Sequence, residues 1–377
     1  MVKELVIVVV LLLSFAHSAL AQYDNSIYLD DTFISPADSQ MLFLRFGNAT
    51  FFDNKEFFNP YQPGYTLIGF FLRPVVEYYP GPNTKLTAGA HLLKYSGTER
   101  YSQTIPVFTF HHRFSEGLEM IAGSLYGNVN HNLIEPLFAF ERVFTHHNES
   151  GLQFLINQDF LTADIWLNWE KFIFPGDPFQ EEFTAGLSSV IYTGDRESRL
   201  QVDMPLQLLV MHRGGQIDAS DERMQNQVNF ATGIHMRWDF DHSVFQSLSF
   251  RGYLAGFRDL SSTLESHFDK GWGVYPNVIV NTRWFEGGIG YWVGHRFVAP
   301  RGEPLFQSVS RVDPELAIDN RELLTSKLHF NRNLISGIDM GVRVDVYYDT
   351  MAGNFDYSTG LHIMINERIF LSRLRRR

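Results

Sequence analysis

The stretch VNFATGIHMRWDF, residues 228–240, alternates apolar and polar side chains along its whole length. The apolar residues are Val228, Phe230, Ile234, Met236, Trp238 and Phe240. The residues between them include Asn229, Gly233, His235, Arg237 and Asp239. A period of two predicts a β-strand with one apolar and one ionic face. In a soluble sandwich the apolar face is buried, whereas in a membrane barrel it faces lipid and the ionic face lines the interior.

The same alternation recurs in sixteen segments along the chain, most of them longer than the usual globular strand of about 5–6 residues. The segments are 40–48, 64–79, 85–95, 105–114, 117–127, 151–158, 162–173, 182–192, 198–211, 228–240, 243–257, 271–285, 288–298, 323–331, 337–348 and 355–370. Short turns and longer connections alternate between them, and the longest connections are 128–150, 212–226 and 299–322. This sorting is typical of outer-membrane barrels with tight periplasmic turns and long external loops. A Greek-key sandwich gives no reason for it.

These patterns predict an all-β, transmembrane, antiparallel up-and-down β-barrel of about 16 strands, within a range of about 14–18. An even strand number places both termini in the periplasm. Two prolines, Pro74 and Pro205, fall within predicted strands of a closed barrel that has no free edge. Bulges at these positions would reconcile the prolines with the barrel.

The first 21 residues have the pattern of a cleaved secretory signal peptide. A charged start is followed by the apolar run LVIVVVLLLSFA, and Ala19 and Ala21 stand at the spacing of a cleavage site before Gln22. The run is too short for a membrane-spanning helix of about 20 residues. Residues 22–377 therefore form the predicted barrel domain, and we expect it in the outer membrane of a Gram-negative bacterium.

Composition narrows the classes of function. The chain has a formal net charge of -11, which is not the balance of a nucleic-acid-binding protein. It has no cysteine, so a disulfide-linked fold is excluded. Its aromatic content of 15% suits a lipid-facing surface with aromatic girdles, although it also suits a carbohydrate-binding sandwich. The sequence implies no cofactor and no metal site.

The predicted signal peptide and four further segments resemble those of uncharacterised, porin-like outer-membrane β-barrel proteins of the Bacteroidetes. The four segments are FFDNKEFFNPYQPGYTLIGFFLRPVVEYYP, LYGNVNHNLIEPL, SGLQFLIN and ADIWLNWEKFI. The resemblance spans most of the mature chain, and its motifs are structural. It implies the location and the fold, and it brings no activity or substrate with it.

If the apolar faces contact lipid, the opposite faces place polar residues in the lumen, because a Lys or Arg near the membrane midplane costs roughly 2–4 kcal/mol. The candidate pore-lining residues are Asp164, Glu170, Asp203, His235, Arg237, Asp239, Arg251, Asn281, Arg283, Arg296, Arg343 and Asp345. They could create a transverse field that selects polar solutes. Alternatively, they pair with one another and brace the interior.

The connection HNLIEPLFAFERVFTHH, residues 131–147, is unusually apolar for an exposed loop. It could fold into the lumen as a constriction, with a short helix presenting Glu135, Glu141 and Arg142 beside Phe138. It could also cover the barrel rim or contact a neighbouring subunit. The aromatic first connection, residues 51–61, could hold a ligand or pack on a lid.

The sequence favours a porin-like channel for passive diffusion of small polar or charged solutes. We expect outer-membrane lipid to surround the protein, and assembly into a homo-oligomer is an open alternative to a monomer. The alternative is a closed barrel that serves in binding, adhesion or assembly. A channel for hydrophobic molecules fits less well because the interior is charged. We expect no enzyme, because the sequence lacks H-E-x-x-H and G-x-S-x-G, and adjacent strand residues such as His111 and His112 cannot bind one ion. Carboxylate pairs such as Glu170 with Glu181 or Glu182 leave a hydrolase as the last option.

Overall fold

Sixteen antiparallel strands close into one barrel in a computed structural model that describes residues 23, 25–29, 33–215, 217–262 and 267–374. Each strand pairs with its neighbours in the chain, and β1 pairs with β16 to close the wall. The predicted barrel and its strand number are thus confirmed. The predicted signal peptide lies outside the described residues.

The strands begin and end as follows. They are β1 Met41–Glu56, β2 Tyr65–Gly81, β3 Thr84–Tyr95, β4 Gln103–Ser115, β5 Leu118–Ser124, β6 Ser150–Gln158, β7 Leu161–Lys171, β8 Glu181–Tyr192, β9 Leu200–Gly214, β10 Gln225–Asp239, β11 Phe245–Asp259, β12 Lys270–Thr282, β13 Glu286–His295, β14 Asn320–Ile335, β15 Ile338–Asp349 and β16 Phe355–Arg373. The predicted fifth strand, residues 117–127, ends earlier than expected, at Ser124.

The two ends of the barrel differ in their connections. At one end, here called the short-turn end, β2 and β3 are joined by residues 82–83 alone. At the opposite, long-loop end, β5 and β6 are joined by residues 125–149. The side chains of β10 follow the predicted alternation, because Phe230 and Trp238 are exposed on the outer wall while His235 is buried inside. An apolar outer wall and a polar inner face are what lipid surroundings require.

Both strand prolines are accommodated without the bulges that would have reconciled them with a closed barrel. Pro74 faces Phe46 on β1, and the pairing of β2 with β3 skips from Leu72 to Val75 without a change of register. Pro205 pairs with Val190 on β8, and the pairing of β9 with β10 lapses beside it in the same way. Because the strand pairing is interrupted beside each proline, the N–H that proline lacks would have had no hydrogen-bond partner there.

Three connections at the long-loop end fold into the barrel, and we call them inner loops 1 (57–64), 2 (125–149) and 3 (296–319). Inner loop 2 contains a turn at Asn128–His131, whose dihedral angles are not those of an α-helix, and the four-residue helix Arg142–Thr145. Short 3-10 turns occur at Ser26–Tyr28, Pro36–Asp38 and Pro304–Phe306. No helix among the described residues is long and apolar enough to cross a membrane.

The lumen contains apolar cores built between these loops and the inner wall. One core joins Ile134 and Leu137 of inner loop 2 and Phe306 of inner loop 3 to Tyr253 and Trp292 on strands. A second packs Phe138 of inner loop 2 and its neighbours against Trp166 and Leu209. The loops also bond to each other, since the amide of Ala139 donates to the carbonyl of Arg301 (2.8 Å). The interior is packed like a protein core rather than left as a wide channel.

The segment before β1 also reaches into the lumen, from the short-turn end. The hydroxyl of Tyr28 lies 2.6 Å from Nδ1 of His362 on β16. Its ring contacts Phe140 and Phe144 of inner loop 2 edge to face. The N-terminal segment therefore meets inner loop 2 inside the barrel.

Candidate functional site

The backbone of inner loop 2 is left-handed over four consecutive non-glycine residues. Val129, Asn130, His131 and Asn132 have φ angles between 53° and 58°. A left-handed helical conformation costs about 1–2 kcal/mol per residue, although Asn tolerates it better than most. Strain of this kind persists only where the surroundings enforce it, and it concentrates at functional sites.

The side chain at the centre of this turn, His131, is buried and bound on both ring nitrogens. Nδ1 lies 2.8 Å from Oδ2 of Asp164 on β7, and Nε2 lies 2.7 Å from Oε2 of Glu149. Burial alone would lower the pKa of His131, but the Asp164 and Glu149 carboxylates outweigh it and raise the pKa to about 10. The two carboxylates favour the imidazolium form, and with both ring nitrogens bound His131 has no free nitrogen to act as a general base.

The imidazolium in turn fixes Glu149, the last residue of inner loop 2. Burial would raise the pKa of Glu149, but the charge and hydrogen bond of His131 lower it below its usual value. Glu149 lines a cavity of about 10 Å³ together with Arg142, His146 and His147. This volume holds about one water molecule. An ionised carboxylate thus faces a water-sized space.

Arg142 brings a positive charge to the same cavity. Its guanidinium lies 4.7 Å from the ring centroid of Phe138 and 3.7 Å from a carboxylate oxygen of Glu170. Its Nε, like the Oδ1 of Asn148, is buried without a hydrogen-bond partner in the described part of the chain. Buried polar atoms without partners are rare, and they indicate a place built for water or a ligand.

The cavity has a larger neighbour on the side of the short-turn end. A space of about 160 Å³ shares Tyr28 and His147 with it and is also lined by Arg73, Thr87 and other residues. Nη1 of Arg73 lies 3.1 Å from Nε2 of His147. Within the described ranges, no group of three or more His, Cys, Asp or Glu residues is arranged to hold a metal ion.

Several sequence-predicted lumen residues face the interior and contact one another. Nδ1 of His235 lies 2.9 Å from Oδ1 of Asp203, and Nη2 of Arg343 lies 3.2 Å from Oδ2 of Asp345. Arg237 contacts Asp239 at 2.8 Å near the short-turn end. Arg251 lines a cavity of about 70 Å³, and Asn281 faces inward near the end of β12. Their role as pore lining stays a prediction.

The remaining predicted residues contact partners that the sequence analysis did not select. Glu135 bonds to Lys327 and, at 2.9 Å, to the hydroxyl of Tyr347. Glu141 forms an ion pair with Lys55 at 2.6 Å, and Glu170 forms one with Arg301 at 3.0 Å. Phe138 is buried in the core around Trp166. Inner loop 2 therefore lies in the lumen, held by ion pairs to the wall and by backbone hydrogen bonds to inner loop 3.

Two predicted lumen residues are elsewhere. Arg283 is exposed in the tight turn after β12, where the hydroxyl of Thr282 closes the turn by donating to the carbonyl of Phe285 (2.8 Å). Arg296 follows the last residue of β13 and pairs with Asp319 through two contacts of 2.9 and 3.1 Å, with its side chain 47% exposed. Both assignments to the lumen are wrong because the strands end before these residues.

His131 and Glu149 are functional candidates that the sequence pattern did not reveal. His131 appeared only as the first residue of the apolar connection, and Glu149 lay beyond its end. The available signal was the run NVNHN, since Asn is the non-glycine residue that most readily takes the left-handed conformation.

Solved structures place the fold among outer-membrane β-barrels. A loop L8 deletion mutant of OmpT, an outer membrane protein of Vibrio cholerae, matches with a TM-score of 0.51 and 9% identity, over 86% of this chain and 99% of that chain. The in-vitro folded trimer form of OmpT matches with a TM-score of 0.50 and 8% identity, over 87% of this chain and 100% of that chain. OprD, an outer membrane protein from Pseudomonas aeruginosa, matches with a TM-score of 0.47 and 10% identity, over 90% of this chain and 97% of that chain. No curated protein matches the sequence.

The family is shown by the sequence itself. Residues 34–374 match the model of the lipid A 3'-O-deacylase-type family, so the chain belongs to that family. This is an enzyme family, and the expectation that the protein is not an enzyme is wrong. The resemblance to outer-membrane barrels is confirmed for the fold, whereas the matching family is named for deacylation rather than for diffusion.

Proposed function

We propose that the protein is an outer-membrane hydrolase that removes an ester-linked acyl chain from a glycolipid of the lipid A type. The observation that carries this proposal is the family match over residues 34–374. The packed lumen supports it, because apolar cores occupy the space that a diffusion channel needs. The strained, charged cavity in inner loop 2 supplies groups that ester hydrolysis requires.

In this proposal Glu149 holds and deprotonates the attacking water. The water oxygen bonds to the ester carbonyl carbon, and the bond from that carbon to the sugar oxygen breaks. Glu149 passes the proton it took from the water to that sugar oxygen, so the products are a fatty acid and a sugar hydroxyl. His131 keeps Glu149 ionised, although the lowered pKa of Glu149 also makes it a weaker base. Arg142 compensates by stabilising the negative charge that develops on the carbonyl oxygen.

The test is release of fatty acid from lipid A by the purified, folded protein in detergent micelles, measured by mass spectrometry. The chain offers a matched pair of variants. Glu149 accepts a contact from Nε2 of His131 at 2.7 Å, and Glu119 accepts one from Nε2 of His111 at 2.8 Å. Glu149→Gln should lower the rate by about 10²–10⁴-fold, because the carboxylate base is lost. Glu119→Gln should leave it within a few-fold.

Each outcome decides a different part of the proposal. No fatty acid release by the folded wild-type protein would overturn the function. Release that Glu149→Gln and Glu119→Gln lower equally would retain the function and move the catalytic site away from inner loop 2.

A further inference from the structure

The barrel wall is lower between β4 and β7 than on either side. β5 pairs only with residues from Thr109 to Ser115 of β4, so Gln103–Phe108 have no strand partner on that side. The pairing of β6 with β7 likewise stops at Asn168. Strands lie about 4.8 Å apart, so this gap, here called the notch, is about 14 Å wide. It lies in the long-loop half of the wall.

The sequence explains why the wall stops there. Gly123 has a φ of 95°, and a Cβ at this position would lie 2.2 Å from the carbonyl oxygen of Phe108. The chain leaves the wall directly after it, and Leu125 and Tyr126 are buried in the interior. Pro106 lies in the unpaired part of β4, where a residue without an N–H is tolerated.

The segment behind the notch is the same part of inner loop 2 that lines the candidate site. Nε2 of Gln103 on β4 donates to the carbonyl of Thr145 (3.0 Å), the last residue of the short helix Arg142–Thr145. His146 follows and is exposed. Arg142 and Glu149, at the two ends of this segment, line the water-sized cavity. Thr145 therefore contacts β4 at the notch while it lies three residues after Arg142 and four before Glu149 in the chain.

The borders of the notch are apolar and exposed on the outer wall. Phe108 on β4 is 59% exposed, and Leu152 on β6 and Trp169 on β7 are each 39% exposed. These surfaces suit the acyl chains of surrounding lipid. From the long-loop end the lumen offers an acyl chain no comparable route, because cores between the inner loops and the wall occupy it. The cavity of about 160 Å³ adjoins the site on the side of the short-turn end and leaves a polar way in for a small soluble ester.

We infer that the notch is the opening through which an acyl chain of a lipid in the surrounding leaflet reaches the cavity of Glu149 and Arg142. The inference rests on the proposed function and adds the direction of substrate access. The lipid moves sideways out of the membrane, and the segment 142–149 shifts to admit it. Hydrolysis then leaves the fatty acid in the leaflet from which the lipid came.

A crosslink across the notch tests this route, and the absence of cysteine in the chain gives a clean background. Gln103→Cys with Thr145→Cys, joined by a short bis-maleimide, ties inner loop 2 to β4. The control is Gln180→Cys with Glu222→Cys, because Nε2 of Gln180 donates to the carbonyl of Glu222 (2.7 Å) in the same way between two other loops. The substrates are lipid A and the water-soluble ester p-nitrophenyl butyrate.

The crosslinked notch variant should hydrolyse lipid A at least about tenfold more slowly and still hydrolyse the soluble ester, while the crosslinked control keeps both activities. Unchanged lipid A hydrolysis in the crosslinked notch variant would overturn the inference and leave the proposed function intact. Loss of both activities in that variant would also contradict the inference, because the soluble ester is expected to reach Glu149 without passing the notch.

A second measurement decides the route without any activity. A bimane label on Thr145→Cys, in nanodiscs containing lipids with spin-labelled acyl chains, should be quenched more strongly than the same label on Glu222→Cys. Equal quenching would overturn the lateral route. Clear quenching at Thr145 without hydrolysis of either ester would confirm the route and refute the proposed function.

Discussion

The imidazole of His131 lies parallel to the indole of Trp166, with ring centroids 3.8 Å apart and 3° between the ring planes. The stack places a cation over the face of the aromatic ring that binds cations best. Together with the carboxylates of Glu149 and Asp164, it surrounds the imidazolium on both edges and one face. These contacts hold the left-handed turn in place despite its strain.

The raised pKa of His131 predicts how this support depends on pH. The folded pKa of about 10 exceeds the ordinary value of 6.5, so the protonated imidazole stabilises the folded state fully below pH 6.5. That contribution is lost as the pH rises from 6.5 through 10. The melting temperature of the wild type should therefore exceed that of His131→Gln most at pH 6, and the difference should shrink by pH 10.

The measurement is the loss of the compact, heat-modifiable band in gel electrophoresis as temperature is raised at each pH. Comparing the two proteins cancels the titration of groups that they share. A difference that stays constant between pH 6 and pH 10 would show that His131 is not charged in the folded protein.

A substitution at Gly123 should destabilise the barrel, because alanine there meets both an unfavourable backbone conformation and the carbonyl oxygen of Phe108. We expect Gly123→Ala to lower the free energy of unfolding by about 1–3 kcal/mol. Gly127→Ala is the control, since Gly127 has a φ of -70° and a Cβ there has nothing within 4 Å. Urea unfolding in lipid vesicles, followed by tryptophan fluorescence, compares them. Equal stability of the two variants would contradict the strained geometry.

Arg321 should be a main anchor of inner loops 1 and 3. Its guanidinium contacts Asp349 at 2.5 Å, donates to the carbonyl of Leu305 (2.7 Å) and lies 3.7 Å from the ring centroid of Tyr61. Arg321→Met leaves Asp349 buried without its partner, which should cost about 3–5 kcal/mol. Arg296→Met removes an exposed ion pair and should cost about 0–1 kcal/mol.

The same vesicle unfolding assay checks this prediction, and limited proteolysis adds the location of the effect. New cleavage within inner loops 1 and 3 is expected for Arg321→Met alone. Similar stability losses in the two arginine variants would show that the buried pair does not anchor the loops.

Single-channel recording should show that the packed lumen does not conduct. We expect the wild-type protein to insert into a planar bilayer without stable conductance steps, and deletion of residues 130–147 to produce them. The deletion removes Ile134, Leu137 and Phe138 from the cores in the lumen. Stable, ion-selective conductance steps from the wild-type protein would contradict a closed lumen and support a diffusion channel instead.

The wall of the barrel could be predicted from the sequence because lipid imposes a strict period of two on every strand. The local alternation alone predicts that Val228, Phe230 and Ile234 share the lipid-facing side of their strand, and no distant residue is needed for this prediction. The end of β5 at Ser124 could not be read in this way, since the apolar pattern continues through Leu125 and Tyr126 into the interior core. Apolar residues that face lipid and apolar residues that face a plugged lumen look alike in sequence.

The candidate site was harder to predict because its members meet only through the fold. Asp164 was selected for its strand position, but its partner His131 comes from a turn whose handedness no pattern of polarity encodes. The enzyme motifs that were absent belong to other architectures, so their absence carried less weight than the sequence analysis gave it.

The packing of inner loop 2 has a consequence for biogenesis. Leu137 and Ile134 find their apolar partners on Tyr253, Trp292 and Tyr347, more than a hundred residues further along the chain. Until those strands arrive, the loop is an unburied apolar segment in a barrel that is only partly assembled, and such intermediates aggregate readily. Chaperone protection is thus needed most in the interval between the synthesis of inner loop 2 and the arrival of the strands that bury it.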